Sequence, residues 1–408
     1  MRRLLATVLC SVLLFTFASP AVAAIHAGWH LRLGIRLQAV ATAPDGSIYV
    51  VGDKRDAITA KAFLAKLRPD GTRVWTRTWM PNVHASTNAV ALDLMPNGDI
   101  AWTGTAQEQC ESNGWFVQVN RPNGALVHRY VTPDWQCPSS AENVTDIAAS
   151  GDRIVVTGYT HGCCGDPYQD GWVQALDPTA HPTWRTNIEP PAPTPHGWFD
   201  RATGISTGAF GNMYVAGWGA TKSIPSETSR SAGTMVLWKV TSGGGVLWSH
   251  RVGGVPMPSL DTPVAVSARG NAVMLAAGVR GFDVRWHLGS SPPTDGWLGR
   301  FTTGGSLVWS RDWDVKNPHA AEATSVAIDA TGATWVVGTR RTVHRKGLGL
   351  FVRRYSAGGG LLGKAALSRG PRFLHGTGVA ARFGGGAYVT GWVGEDLAKS
   401  GRLWRFFA

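Results

Sequence analysis

The side chains that could carry chemistry fall into four groups. Cys110, Cys137, Cys163 and Cys164 come first, with His161 and Asp166 close to the adjacent pair. Thiolate, imidazole and carboxylate together can ligate a metal, but zinc sites space their ligands in regular pairs and these residues do not. In an oxidising compartment the simpler chemistry is disulfide formation. Four cysteines allow three pairings, of which Cys110 with Cys137 plus an adjacent bridge between Cys163 and Cys164 is preferred. No metal and no cofactor is expected.

The second group is basic: Arg340, Arg341, His344, Arg345 and Lys346 fall within one short stretch. Such a cluster can hold phosphate or sulfate groups, and it is also what an ordinary solvated loop carries. The third group is aromatic, namely Trp135, Trp198, Phe199, Phe282 and Trp286, whose rings can stack on sugars or cap their own loops. Asp166 with Asp170 and Asp283 with Asp295 form the fourth, and they would suit acid and base roles in glycoside cleavage if each pair approached in space.

Motif matches add little. Gly204-Ile205-Ser206-Thr207-Gly208 has the hydrolase elbow pattern, which requires a strand-to-helix turn, yet this run reads as a strand. The stretch from Gly358 to Lys364 resembles a phosphate-binding loop, but Ala365 stands where Ser or Thr is needed. The reading therefore favours a protein without catalytic activity.

Composition and the N-terminus set the context. With 51 Gly, 19 Trp and 16% charged residues among 408, the chain has the make-up of a large all-β protein with tight turns. Arg2 and Arg3, the apolar run from Leu4 to Phe17, and small residues at Ala21 and Ala23 form a secretory signal peptide, with cleavage expected after Ala23. The apolar run is too short to span a bilayer, and Val8-Leu9 lacks the small residue that lipidation at Cys10 would need. Residues 1–23 are thus read as a signal peptide, with no transmembrane segment after its removal and a secreted, periplasmic or cell-envelope location. Loss of Arg2 and Arg3 lowers the formal charge from +12 to +10, a balance that attracts anionic polymers or simply maintains solubility.

The elements that would position these groups repeat along the chain. From Leu37 to Trp79 the sequence reads as four short strands, two of its turns formed by Pro44-Asp45-Gly46 and Pro69-Asp70-Gly71. A β-rich run ending in Gly marks each unit, with glycines at 52, 104, 158, 217, 278, 338 and 391. A sheet of four strands cannot bury both faces alone, so the units must stack. Seven of them predict an all-β fold, a seven-bladed β-propeller of four-stranded antiparallel blades spanning residues 24–408 as one domain. The last unit stops at its third strand, Arg402 to Phe407, and Gly28 to Arg32 resembles the missing fourth, so the N-terminal strand is expected to close the last blade. Trp29, Trp75, Trp184, Trp248 and Trp309 recur at one place in the fourth strands, His128 and the Gly363-Lys364 region replacing them in blades two and six. Recurrence at a structural position argues for packing between blades.

Units of this form, V-A followed by G-x-x-Y-V-x-G and then A-F-L-A-K-L-x-P-D-G-x-x-x-W, resemble the bacterial seven-bladed β-propeller repeat family. They are also similar to pyrroloquinoline-quinone-type propeller repeats, whose Gly-x-x-x-Trp signature is matched by Gly71 to Trp75, Gly244 to Trp248 and Gly305 to Trp309. The first resemblance implies a secreted or surface-exposed propeller; the second implies a quinone-dependent dehydrogenase or an envelope scaffold. The dehydrogenases have eight blades and a calcium site, whereas this chain has seven units.

Short turns join first to second and third to fourth strands, so all long connections leave one face of the ring. The four cysteines, the loop aromatics and the basic run all fall in those connections. The expected protein is an exported, monomeric, non-enzymatic propeller whose long-connection face binds a glycan, an anionic polymer or an envelope protein. The alternative is a carbohydrate-active hydrolase or lyase, or a quinone-dependent oxidoreductase, on the same scaffold.

Overall fold

The computed structural model describes residues 23–56, 59–82, 84–107, 114–133, 140–162, 169–190, 200–220, 233–257, 264–280, 294–313, 321–341, 348–367, 374–394 and 401–407. Blade one consists of Arg36–Thr42, Ile48–Arg55, Ala60–Leu67 and Arg73–Trp79, paired antiparallel in chain order. Its turns follow from their residues. Gly46 and Gly71 take φ of +82° and +90°, and Asp45 and Asp70 each accept the N–H two residues on, at 2.8 and 2.7 Å.

Six more sheets repeat this order, giving the seven-bladed β-propeller. Their first strands are Ser86–Leu94, Ser140–Ala149, Asp200–Thr207, Val264–Arg269, Ala321–Ile328 and Leu374–Ala381. Each first strand packs beside the next, and that of blade seven meets that of blade one, so the ring is closed.

No single core exists. Seven clusters of buried side chains lie one at each junction between neighbouring blades, as where Ile48, Val50 and Phe63 of blade one meet Tyr388 and Leu403 of blade seven. Both faces of a blade are therefore covered. That is why Ile48 to Val51 is uniformly apolar rather than alternating, and why all four of its side chains are buried.

The marker glycine has a steric cause. In six blades the first strand carries a bulge, so that Leu37 pairs with Gly52 and Ala39 with Val51, leaving Gln38 between them. A Cβ at Gly52 would overlap the carbonyl oxygen of Arg36, and the same overlap arises at Gly104, Gly158, Gly217, Gly338 and Gly391. In blade five the described pairs show no bulge, and Gly278 meets no such carbonyl.

The recurrent tryptophans pack between blades, as the repeat predicts. Trp184 of blade three lies over Gly244 in the third turn of blade four, where φ is +89° and a Cβ would stand 2.7 Å from the indole. The indole N–H also donates to the Ser242 carbonyl at 3.0 Å, and Trp75 and Trp309 donate likewise to Pro122 and Ala357. Where blade two has His128 instead of Trp, the corresponding turn of blade three has Ala180 at φ +65° in place of Gly.

The N-terminus completes the ring. Strand β1, Ala23–Ala24, pairs parallel with the outer strand of blade six, and β2, His26–Arg32, pairs antiparallel with Gly401–Phe407 as the fourth strand of blade seven. The closure by β2 agrees with the sequence expectation. The fifth strand on blade six does not follow from the repeat. It pairs at Gly363 and Lys364, where the docking Trp is missing, and Ile25 is buried against Trp404 and Phe406.

Candidate functional site

The first strands converge on a central channel, a cavity of about 280 Å³ lined by residues of all seven blades. Its wall is built by the bulges. Four of them are threonines, and each hydroxyl donates to a carbonyl of the next blade: Thr145 to Ala202, Thr203 to Val264, Thr324 to Gly376 and Thr377 to Leu37, at 2.8 to 3.1 Å. Side-chain oxygens lower in the channel accept from the next blade's free edge. Ser206 takes the Ala268 N–H at 3.0 Å, Ser267 that of Ile328 and Ser325 that of Val379. These bonds satisfy backbone donors that a first strand cannot pair within its own blade.

Two carboxylates serve the same purpose. Asp93 accepts from Ala149 and Leu94, both at 2.8 Å, and Asp146 accepts from Ile205 at 2.8 Å and Ile147 at 2.9 Å. Burial pushes Asp93 up to about 6 and Asp146 up to about 7, with the charge of Asp93 adding to the rise at Asp146. The ring surrounds both groups, although each keeps some surface facing the channel. Ser206, the serine of the elbow-like motif, is likewise a blade-to-blade acceptor in the first strand of blade four.

Two residues up the strand from the bulge, at the end that emerges from the long connections, lies a belt of polar side chains. It comprises Arg36, Asn88, Asn143, Arg201, Glu322 and His375, all half-buried, and these are the residues whose carbonyls exclude a Cβ at the marker glycine. Cross-strand partners complete it: Asp53, Thr105, Tyr159, Trp218, Thr339 and Trp392. The Arg201 guanidinium lies 4.3 Å from the ring centre of Tyr159 in the preceding blade and 5.6 Å from that of Trp218 in its own. His375 stacks on Trp392 at 3.7 Å, and its Nδ1 lies 3.4 Å from Thr339 Oγ1 of blade six. Burial first, then the nearby Arg36 charge, pulls His375 down to about 4.

Most site residues read from the sequence lie outside the described residues: Trp135, Trp198, Phe199, Phe282, Trp286, Arg345, Lys346, Cys110, Cys137, Cys163 and Cys164, with Asp166 and Asp283. Arg340 is described, half-buried near the end of Thr334–Arg341, which Arg341 terminates. Asp170 is exposed in Gln169–Leu176. Among the described residues no three His, Cys, Asp or Glu side chains gather as a metal site would require, and no helix is long and apolar enough to cross a membrane.

The belt was readable and was missed. Its members stand sixteen residues before the marker glycine in five blades and fifteen in blade three, and every one is polar; Thr262, outside the described residues, holds the place in blade five. The signal was the constant offset, which gains meaning only when the bulge fixes the register.

No family model matches the chain, and no curated protein matches it. Solved structures share its fold. The chain is similar to polysaccharide lyase Uly1, at 10% identity and a TM-score of 0.52 over 91% of this chain and 89% of that one. It is also similar to the β-propeller domain of the Trilobed protease from Pyrococcus furiosus, at 8% identity and a TM-score of 0.48 over 92% and 94% of the two chains. A protein of unknown function from Dyadobacter fermentans matches at 9% identity and a TM-score of 0.46, over 94% of this chain and 99% of that one. At these identities the likeness shows the fold alone.

Proposed function

We propose that this chain is an exported, non-enzymatic β-propeller binding protein whose long-connection face recognises a glycan, an anionic polymer or an envelope protein. The observation that carries the reading is the belt: polar residues at one register in six blades, at the channel mouth, on the face from which every long connection leaves. A rigid ring presenting variable loops around a fixed polar rim is suited to recognition. The channel's ionisable groups support the same reading, since Asp93 and Asp146 hold neighbouring blades together through backbone donors.

In this reading residues 1–23 direct export and are removed, so that Ala24 and Ile25 keep the β1 contact with Lys364 in the mature chain. The cysteines form disulfides, the chain acts as a monomer, and the basic run at Arg340, Arg341, Arg345 and Lys346 and the loop aromatics add contacts around the belt. The test is binding of purified residues 24–408 to an array of neutral and anionic glycans, at low and high salt, with each bound glycan then assayed for cleavage. Binding without turnover supports the reading. Turnover of a bound polymer replaces it with the hydrolase or lyase alternative.

A further inference from the structure

Where blade seven meets blade one, the described residues of the belt leave one positive charge in excess beside an aromatic platform. Arg36 pairs across the ladder with Asp53, which is fully buried and whose Oδ2 accepts from Arg55 Nε at 2.7 Å, while Oδ1 has no partner among the described residues. One carboxylate between two guanidiniums leaves one positive charge over. The Arg36 guanidinium turns toward the channel mouth, where Nε and Nη2 lie 3.1 and 3.3 Å from the end of the Gln38 amide, which accepts from both once its oxygen is assigned to face these donors. Its charge reaches His375, whose ring stacks on Trp392. Among the described residues His375 has a hydrogen-bond partner only in Thr339, through Nδ1, which leaves Nε2 to donate or accept.

Resting on the binding function proposed above, we propose that this junction is a subsite for a carboxylate-bearing sugar of an acidic polysaccharide. Arg36 would take the carboxylate, His375 Nε2 a neighbouring hydroxyl, and Trp392 the apolar face of the ring. An aromatic ring and a single fixed cation match a sugar ring with one pendant anion. A nucleic acid fits less well, because its phosphate is separated from the stacking base by the ribose, whereas a uronic acid carries its carboxylate on the ring that stacks, as the adjacency of Arg36, His375 and Trp392 requires. A neutral polysaccharide would leave the Arg36 charge uncompensated.

The experiment is calorimetric titration of the chain from residue 24 with a polygalacturonate oligomer, its methyl ester and a single-stranded oligonucleotide. The acid form is expected to bind at least tenfold tighter than the ester. Arg36→Gln should weaken acid binding at least tenfold and Trp392→Ala at least fivefold, with thermal melts confirming that each variant folds, while Arg36→Lys should recover part of the loss. Arg269→Gln, at the exposed end of Val264–Arg269 on the opposite face, should change nothing. Between pH 5.5 and 8 His375 carries no proton to lose, so any fall in affinity over that range should follow the ionisation of Asp93 and Asp146 deeper in the channel.

Equal affinity for acid and ester, or an Arg36→Gln variant that binds the acid unchanged, overturns the subsite. If the glycan array gives binders and these variants leave them untouched, the subsite alone fails. If nothing on the array binds, the binding function fails with it. Tighter binding of the oligonucleotide than of the uronate overturns the sugar assignment.

Discussion

Ala23 pairs with Gly363 at the one outer-strand position among blades three to seven that lacks a docking tryptophan. The next blade also lacks the turn on which such a tryptophan would rest, because blade seven takes its fourth strand from the N-terminus. Strand β1 fills that vacancy, and Ile25 then enters the cluster between blades six and seven.

Ile25→Ala should therefore lower stability by about 2–3 kcal/mol, as for a buried aliphatic truncation. Removing residues 25–34 should lower the melting temperature by many degrees, since it opens blade seven. An unchanged melting curve for the deletion would show that the ring does not depend on this closure.

Glycines of similar backbone but different surroundings separate two costs. Gly244 and Gly270 both have positive φ, +89° and +56°, but only Gly244 lies under an indole; a Cβ at Gly270 meets nothing within 4 Å. Alanine at Gly270 should cost about 1 kcal/mol, the left-handed penalty alone. At Gly244 the displaced Trp184 should raise the cost to roughly 3 kcal/mol, judged by urea unfolding. Equal losses would mean that the tryptophan does not dock there.

Stability should depend on pH through the channel. The Asp93 and Asp146 carboxyls, raised from 3.8 to about 6 and about 7, stay protonated in the folded chain where the unfolded chain ionises. Their contribution is full below about 4 and is lost as pH rises through 6 and 7. His375, lowered from 6.5 to about 4, acts in the opposite sense, its contribution being full above 6.5 and lost as pH falls toward 4. Asp146→Asn should flatten the fall in stability between pH 4.5 and 7.5 by about 1–3 kcal/mol, channel water keeping this below the full linkage. Parallel curves for the two proteins would rule out Asp146 as the source.

The fold was legible because the repeat states it seven times, and the docking tryptophans because they recur at one offset. Strand β1 was not legible, since two alanines pairing parallel to a strand more than 300 residues away leave no local pattern. The belt escaped for a different reason. Arg36, Arg201 and His375 look unrelated until the bulge aligns them, so a register known only from backbone geometry had to come first. Long-connection residues such as Trp135 and Phe282 stand out because they break the repeat, and a residue outside a repeat has no repeated neighbour from which its place can be inferred.

The most direct measurement is hydrogen exchange of the chain from residue 24 with and without the tightest ligand from the glycan array. Slowed exchange at the starts of the first strands, around Arg36, Arg201 and His375, and in the long connections would place recognition on the face assigned to it. Protection confined to the opposite turns, at Gly46, Gly71 and Gly244, would contradict the account.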